Sequence, residues 1–323
     1  MNKTLLHSAT DVGTTTGLLK TRTATTSRPK PALIIDTHQH LWDLSTQTLP
    51  WLARMPMVLK QSFGPQEYCT AMQGLNVKAV YMEVDVMRGE EAAEATKIIN
   101  LASSVESPTI GAVIGGRIGS PEFHAYFFRF AHYPVIKGIR HVLHLEEPGY
   151  CLQETFVRDV NLIGELGKTF DLCMRPTDLD DGVKLATLCP KTHFILDHCG
   201  CPDLKIFRTL RAGEDKPSHT ANQWKRSIEA FAKCPNVSIK ISGVIESLPR
   251  GGDASDLAPP VNHCLDCFGP DRVVFGSNWP VCLLGGSPKQ WIEFLLQIVG
   301  EAPETNQRKL WTENAIKIYS IQI

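Results

Sequence analysis

The residues of this chain best suited to chemistry are two histidines two positions apart, in Leu33-Ile34-Ile35-Asp36-Thr37-His38-Gln39-His40. The segment begins as an apolar, β-branched run and turns polar, the pattern of a buried strand leaving a core. In an extended chain, side chains two apart share a face, so both imidazoles are expected to point at one spot. Neutral imidazole ligates zinc and similar divalent ions, or polarises a substrate oxygen directly. Two histidines do not make a site alone. Other elements must bring partners to them.

Those elements are legible as an alternation. Short apolar, strand-like runs lie at 33–37, 78–84, 110–116, 135–140, 172–175, 193–197, 237–242 and 272–277. Between them run stretches of helix formers with apolar spacings of three and four, clearest at 91–102, 156–166 and 291–299. Buried strands with intervening helices predict a parallel sheet, and a count of eight predicts a single-domain (β/α)8 (TIM) barrel over residues 31–323. No Gly-x-Gly-x-x-Gly follows the first run, so the dinucleotide fingerprint of an open doubly wound sheet is absent.

Chemistry in such a barrel sits at the C-terminal ends of the strands. Read in order, those ends offer His38 and His40, then Glu83 and Asp85, Arg117, Arg140 with His141 and His144 beyond it, Arg175, His198, Lys240 near Ser242, and Asn278-Trp279-Pro280. Polar and ionisable groups recur at the register where a catalytic mouth would be. Asp197 precedes His198, so strand alternation points it away from the mouth as a structural residue. Lys240 is expected to be a buried barrel lysine paired with an acid.

Composition narrows the classes of partner. The chain has 323 residues, 33 Lys and Arg against 34 Asp and Glu, and a net charge of -1. That balance gives no reason to expect nucleic acid as a partner. No run of eighteen apolar residues marks a membrane span. A small-molecule substrate is expected, and a homo-oligomer is compatible with the sequence. Ten cysteines are scattered, several inside apolar runs, which fits reduced thiols in a cytosol better than a disulfide framework. Cys264-Leu265-Asp266-Cys267 has metal-like spacing but no second pair to complete a structural zinc site. Residues 1–30 read as a disordered, basic tail rich in Ser and Thr, a composition also found in organelle transit peptides.

Ile35-Asp36-Thr37-His38-Gln39-His40-Leu41-Trp42-Asp43 resembles the opening motif of amidohydrolase-superfamily barrels, above all the amidohydrolase-2 branch of sugar and pyrone-dicarboxylate lactonases. Lys137-Gly138-Ile139-Arg140-His141-Val142-Leu143, Phe194-Ile195-Leu196-Asp197-His198-Cys199-Gly200, Val274-Phe275-Gly276-Ser277-Asn278-Trp279-Pro280-Val281-Cys282 and Glu313-Asn314-Ala315-Ile316-Lys317-Ile318-Tyr319 extend the likeness over about residues 33–322. The resemblance implies that His38, His40 and His198 line a shared substrate position, or hold one divalent ion, zinc by ligand type; metal-free members exist. It implies that Arg140 holds a substrate oxygen. Arg117, Arg175, His144 and Trp42 complete the candidate substrate-binding set.

One position departs from the branch. Asn278 stands where Gly-Ser-Asp-Trp-Pro carries the aspartate expected to act as general base. An amide does not accept a proton in the useful range. Two replacements follow. Glu83 supplies the carboxylate from across the mouth, or a metal held by His38, His40 and His198 lowers the pKa of bound water. The expected activity is hydrolysis of a small polar sugar-acid lactone. The alternatives are a metal-dependent decarboxylase of the same branch, or a degenerate barrel that binds a small acid. Substrate contacts are expected on the loops 146–153 and 202–219, which vary without a readable code.

Overall fold

A computed structural model describes residues 30–323, apart from residue 105. The tail expected at 1–30 therefore lies almost wholly outside the described residues. Eight strands form one parallel sheet in sequential order: β1 (Ile34–Gln39), β2 (Val77–Met82), β3 (Thr109–Gly115), β4 (Ile136–Val142), β5 (Thr169–Cys173), β6 (His193–Leu196), β7 (Val237–Ile241) and β8 (Val273–Phe275). The sheet curls into a nearly closed (β/α)8 barrel, as the alternation predicts. Helices α1 (Pro65–Ala71), α2 (Glu91–Ala102), α3 (Phe123–Ala131), α4 (Glu154–Glu165), α5 (Leu179–Leu188), α6 (Ala221–Ala232), α7 (Ala254–Phe268) and α8 (Pro288–Val299) intervene. Each follows its strand, and their apolar stripes pack on the outside of the wall.

Local signals set these helices. Thr220 and Gln223 form a reciprocal capping box ahead of α6. Ser287 caps α8 by accepting from the Gln290 amide, and Pro288 occupies its first turn. Helix α2 opens with Glu91, which suits the positive end of its dipole.

Two cores result. One lies between the wall and the helices. The other fills the lumen with Ile35, Val80, Met82, Val113, Ile195 and Val274, floored by Tyr319 and Ile321 from the C-terminal segment. Above that apolar layer sits a buried ladder of alternating charge. Tyr319 Oη donates to Asp171 Oδ1 at 2.8 Å. Lys240 Nζ lies 2.7 Å from Asp171 and 3.0 Å from Asp197 Oδ1. Arg140 approaches Asp197 Oδ2 at 3.5 Å and pairs closely with Glu83. Lys240 is thus the paired barrel lysine that its position suggests.

The barrel has a seam. Between β8 and β1 the ladder shrinks to one bridge, Gln39 with Trp279. Side chains do the rest. The Asp36 carboxylate accepts from the Ser277 amide at 2.7 Å and its hydroxyl at 2.6 Å, and Thr37 Oγ1 donates to the Phe275 carbonyl at 2.7 Å.

Candidate active site

Strand β1 shifts register between Asp36 and Gln39, and the strand still delivers both histidines to the same end of the barrel. The His38 and His40 ring centroids are 4.8 Å apart, and those of His38 and His198 are 4.4 Å apart. His198 reaches this position through a left-handed backbone at φ 56. Its Nδ1 lies 2.9 Å from Ser242 Oγ. Gly243, also left-handed, leaves room for it, because a Cβ there would stand 2.4 Å from the His198 Cβ.

The electrostatics of the cluster follow from burial. Burial, then Lys240, hold His38 neutral, well below the usual histidine range. Burial, then Arg140, drop His40 to about 3. His198 is lowered by burial as well. Burial opposes ionisation of Asp197, but Lys240 and then His38 outweigh it and hold the carboxyl well below its ordinary value. Three neutral imidazoles and one ionised carboxylate therefore meet here.

The structure redraws the expected ligand set. The two ring nitrogens of His40 face Met82 O at 3.0 Å and Asn278 Oδ1 at 3.2 Å. Asp197, expected to point away, turns inward instead. Asp197 is still extended and keeps the alternation of Ile195, which also faces the lumen; His198 is the residue that departs from it, through its left-handed backbone. Asp197 Oδ1 is buried, 3.0 Å from Lys240 Nζ and 3.5 Å from His38 Nδ1. Donor atoms of His38, Asp197 and His198 all fall within 4.8 Å of one another. Two imidazoles and a carboxylate are the donors that zinc takes, so these residues fit a divalent ion.

The remaining predicted residues divide. Both oxygens of Glu83 are engaged, Oε1 by Arg140 Nε and Oε2 by the Asp85 amide at 2.6 Å. A carboxylate so held anchors Arg140. Burial works against the Arg140 charge, but Glu83, Cys173 and Asp197 raise it above the normal arginine range. Its NH1 lies 3.4 Å from His38 Nε2, inside the cluster. Arg117 is tied to Glu91 at 2.7 Å and donates to the Val86 carbonyl on the rim. Arg175 is engaged by its own end of the barrel. It pairs with Asp178 and donates to the carbonyls of His144 and Glu146, at 2.7 and 2.6 Å respectively, pinning that loop. Trp42 is likewise engaged by protein groups. It is buried edge-on between Trp51 and Phe63, and its indole donates to Gln61 O. His144 Nε2 stands 3.6 Å from Cys173 Sγ and 3.8 Å from Cys201 Sγ.

One residue escaped the sequence reading. Glu246 lies in the turn after β7, and Asn278 Nδ2 donates to its Oε1 at 3.0 Å. Beside this turn opens a polar cavity of about 640 Å³, lined by Cys201, Asp203, His219, Ser247 and Arg250 among others. Part of its wall is the loop expected to carry substrate contacts.

Residues 35–321 match the family described as amidohydrolase. The chain belongs to the amidohydrolase family. Among named amidohydrolase relatives, L-fucono-1,5-lactonase of Burkholderia multivorans is 27% identical over 308 residues, covering 90% of this chain and 97% of that protein. L-rhamnono-gamma-lactonase of Scheffersomyces stipitis is 27% identical over 222 residues, 62% of this chain and 61% of its own length. A crystal structure of a Burkholderia multivorans amidohydrolase with bound zinc superposes with a TM-score of 0.78 at 24% identity, covering 90% of this chain and all of that one (100%). No helix among the described residues is long and apolar enough to cross a membrane.

Proposed function

We propose that this amidohydrolase opens the ring of a small sugar-acid lactone by adding water to its carbonyl. The observation that carries the reading is the convergence of His38, His198 and Arg140 on one buried spot; a polar cavity large enough for a sugar ring is walled by the loops that follow His198 and β7, through Cys201 and Ser247. The names of the two relatives support the same substrate class.

The residues take distinct parts. The cavity holds the hydroxyl groups of the ring through its polar lining. Arg140, fixed by Glu83, presents guanidinium N–H groups to the carbonyl oxygen as it becomes an oxyanion. A neutral His198, the least buried member of the cluster, faces the incoming substrate. A divalent ion, when bound, would be held by His38, Asp197 and His198 and would act as a Lewis acid toward that oxygen. The described cysteines are all free, which supports a reducing compartment, the cytosol.

The test is ring opening of six-carbon aldonolactones by purified protein, followed as acid release, before and after zinc or manganese is added. Turnover is expected. Failure on every sugar lactone and on pyrone-dicarboxylate lactones, in both metal states, would refute the reading.

A further inference from the structure

We infer that Glu246 is the general base of this site and that Asn278 positions it. The inference rests on the lactone reading above.

Hydrolysis needs a group to take a proton from water. The carboxylates nearest the histidines are otherwise held. Glu83 is bound by Arg140, Asp197 by Lys240, and Asp36 by Ser277 and Tyr68. Glu246 is different. Among the described residues no cation pairs with it, and its one side-chain partner is the Asn278 amide. It stands in the turn after β7, next to Ser247, which lines the polar cavity. Burial lifts its carboxyl to about 7, where a base both binds and gives up a proton readily near neutrality. The titratable groups facing it are the Cys201 and Cys282 thiols. Cys201 is raised by Cys173 and by burial, Cys282 by burial first, so both stay uncharged.

Asn278 has a second partner, and this decides its role. His40 Nδ1 faces the Met82 carbonyl, so in the neutral ring Nδ1 carries the hydrogen and Nε2 a lone pair. That lone pair meets Asn278 Oδ1 at 3.2 Å while Asn278 Nδ2 donates to Glu246. Two acceptors face each other. Turning the amide over gives His40 an N–H donor and brings Oδ1 to Glu246, which must then carry a proton. The amide thus has one orientation for ionised Glu246 and one for protonated Glu246. It moves no proton itself, yet it steadies the carboxyl in both states.

The steps balance. An O–H bond of water breaks, its proton goes to Glu246, and the oxygen bonds to the carbonyl carbon. The carbonyl oxygen becomes an oxyanion held by Arg140. The oxyanion collapses, the ring C–O bond breaks with its electron pair on the leaving oxygen, and that oxygen takes the proton from Glu246. The net change is addition of one water.

The experiment is the pH profile of kcat/KM for a sugar lactone in the full chain, joined to infrared titration of the carboxyl band. The wild type is expected to lose activity below a midpoint near 7. Glu246→Gln should lower kcat/KM by roughly 10²- to 10⁴-fold and erase that limb, while Glu246→Asp restores part of both. The infrared difference between wild type and Glu246→Gln should show one carboxyl with the same midpoint. If Glu246→Gln stays within about threefold of wild type with its limb intact, the inference is overturned. If no sugar lactone is turned over, the substrate reading fails, and the infrared result alone then decides. A Glu246 carboxyl titrating at the ordinary value of 4.5 overturns the inference whatever the substrate.

Discussion

Gly243→Ala tests how His198 is held. Gly243 sits at φ +72, and an added Cβ would lie 2.4 Å from both Cβ and Cγ of His198 and 2.5 Å from its Nδ1. Carbon atoms rest at about 3.5–4.0 Å, so the overlap exceeds about 1 Å. A left-handed conformation at a residue with a Cβ costs about 1–2 kcal/mol. Overpacking adds about 1–3 kcal/mol. The sum is about 2–5 kcal/mol, and the ring must also move off the site. Gly74→Ala separates the two terms. Gly74 has φ +82 but nothing within 4 Å of its added Cβ, so it should lose only the backbone term of about 1–2 kcal/mol and none of the activity. Urea unfolding reports each loss as a midpoint shift at constant slope, and kcat/KM on a sugar lactone reports the displacement. Equal stability losses in the two variants, with Gly243→Ala activity within about twofold of wild type, would refute the packing argument.

Three further outcomes follow from the site. Lys240→Met leaves Asp171 and Asp197 without their cation and should destabilise by about 3–5 kcal/mol in chemical denaturation; a loss below about 1 kcal/mol would show the ladder to be redundant. His198→Ala should abolish lactone turnover with an unchanged far-UV spectrum, and retained turnover would remove it from the machinery. His40 has a folded pKa of about 3 against 6.5 in an exposed histidine, so its contribution is complete above pH 6.5 and is lost as pH falls toward 3. The interval bounds this at about 5 kcal/mol, and His40→Gln should flatten that acid limb of the stability curve.

The sequence foretold the barrel because parallel strands buried on both faces are nearly continuous apolar runs, and α2 was readable to its end residues. Strand β5 begins at Thr169, ahead of the apolar run at 172–175, because Asp171 interrupts that run. Asp171 is a lumen charge matched by Lys240, a partner on β7 that no local pattern shows. The Asp197 reading failed for another reason. Alternation sets Asp197 beside Ile195 on the lumen face, and His198 is the residue that leaves it by turning left-handed, so a face inferred for Asp197 from His198 is inverted. Glu246 lies in a single turn after β7, where three residues carry no periodicity. Its only signal was its place a few residues beyond a strand end. Arg175 and Trp42 show the converse. Residue type and strand register nominated them, but loop carbonyls and neighbouring rings claim them.

The seam between β8 and β1 bears on how the chain is made. His40 meets Asn278 across 238 positions, and Asp36 meets Ser277 across 241. During synthesis the histidines emerge early, and the strand that completes their surroundings emerges almost last. Contacts this distant close slowly, because loop entropy must be overcome before they form. Asp36, buried and raised by burial, gains its Ser277 partners only at that closing event. A chain stopped before β8 would hold the first histidines and most of the wall, yet no Asn278 beside His40. The working surroundings of the β1 histidines therefore arrive in one step, when the two ends of the barrel join.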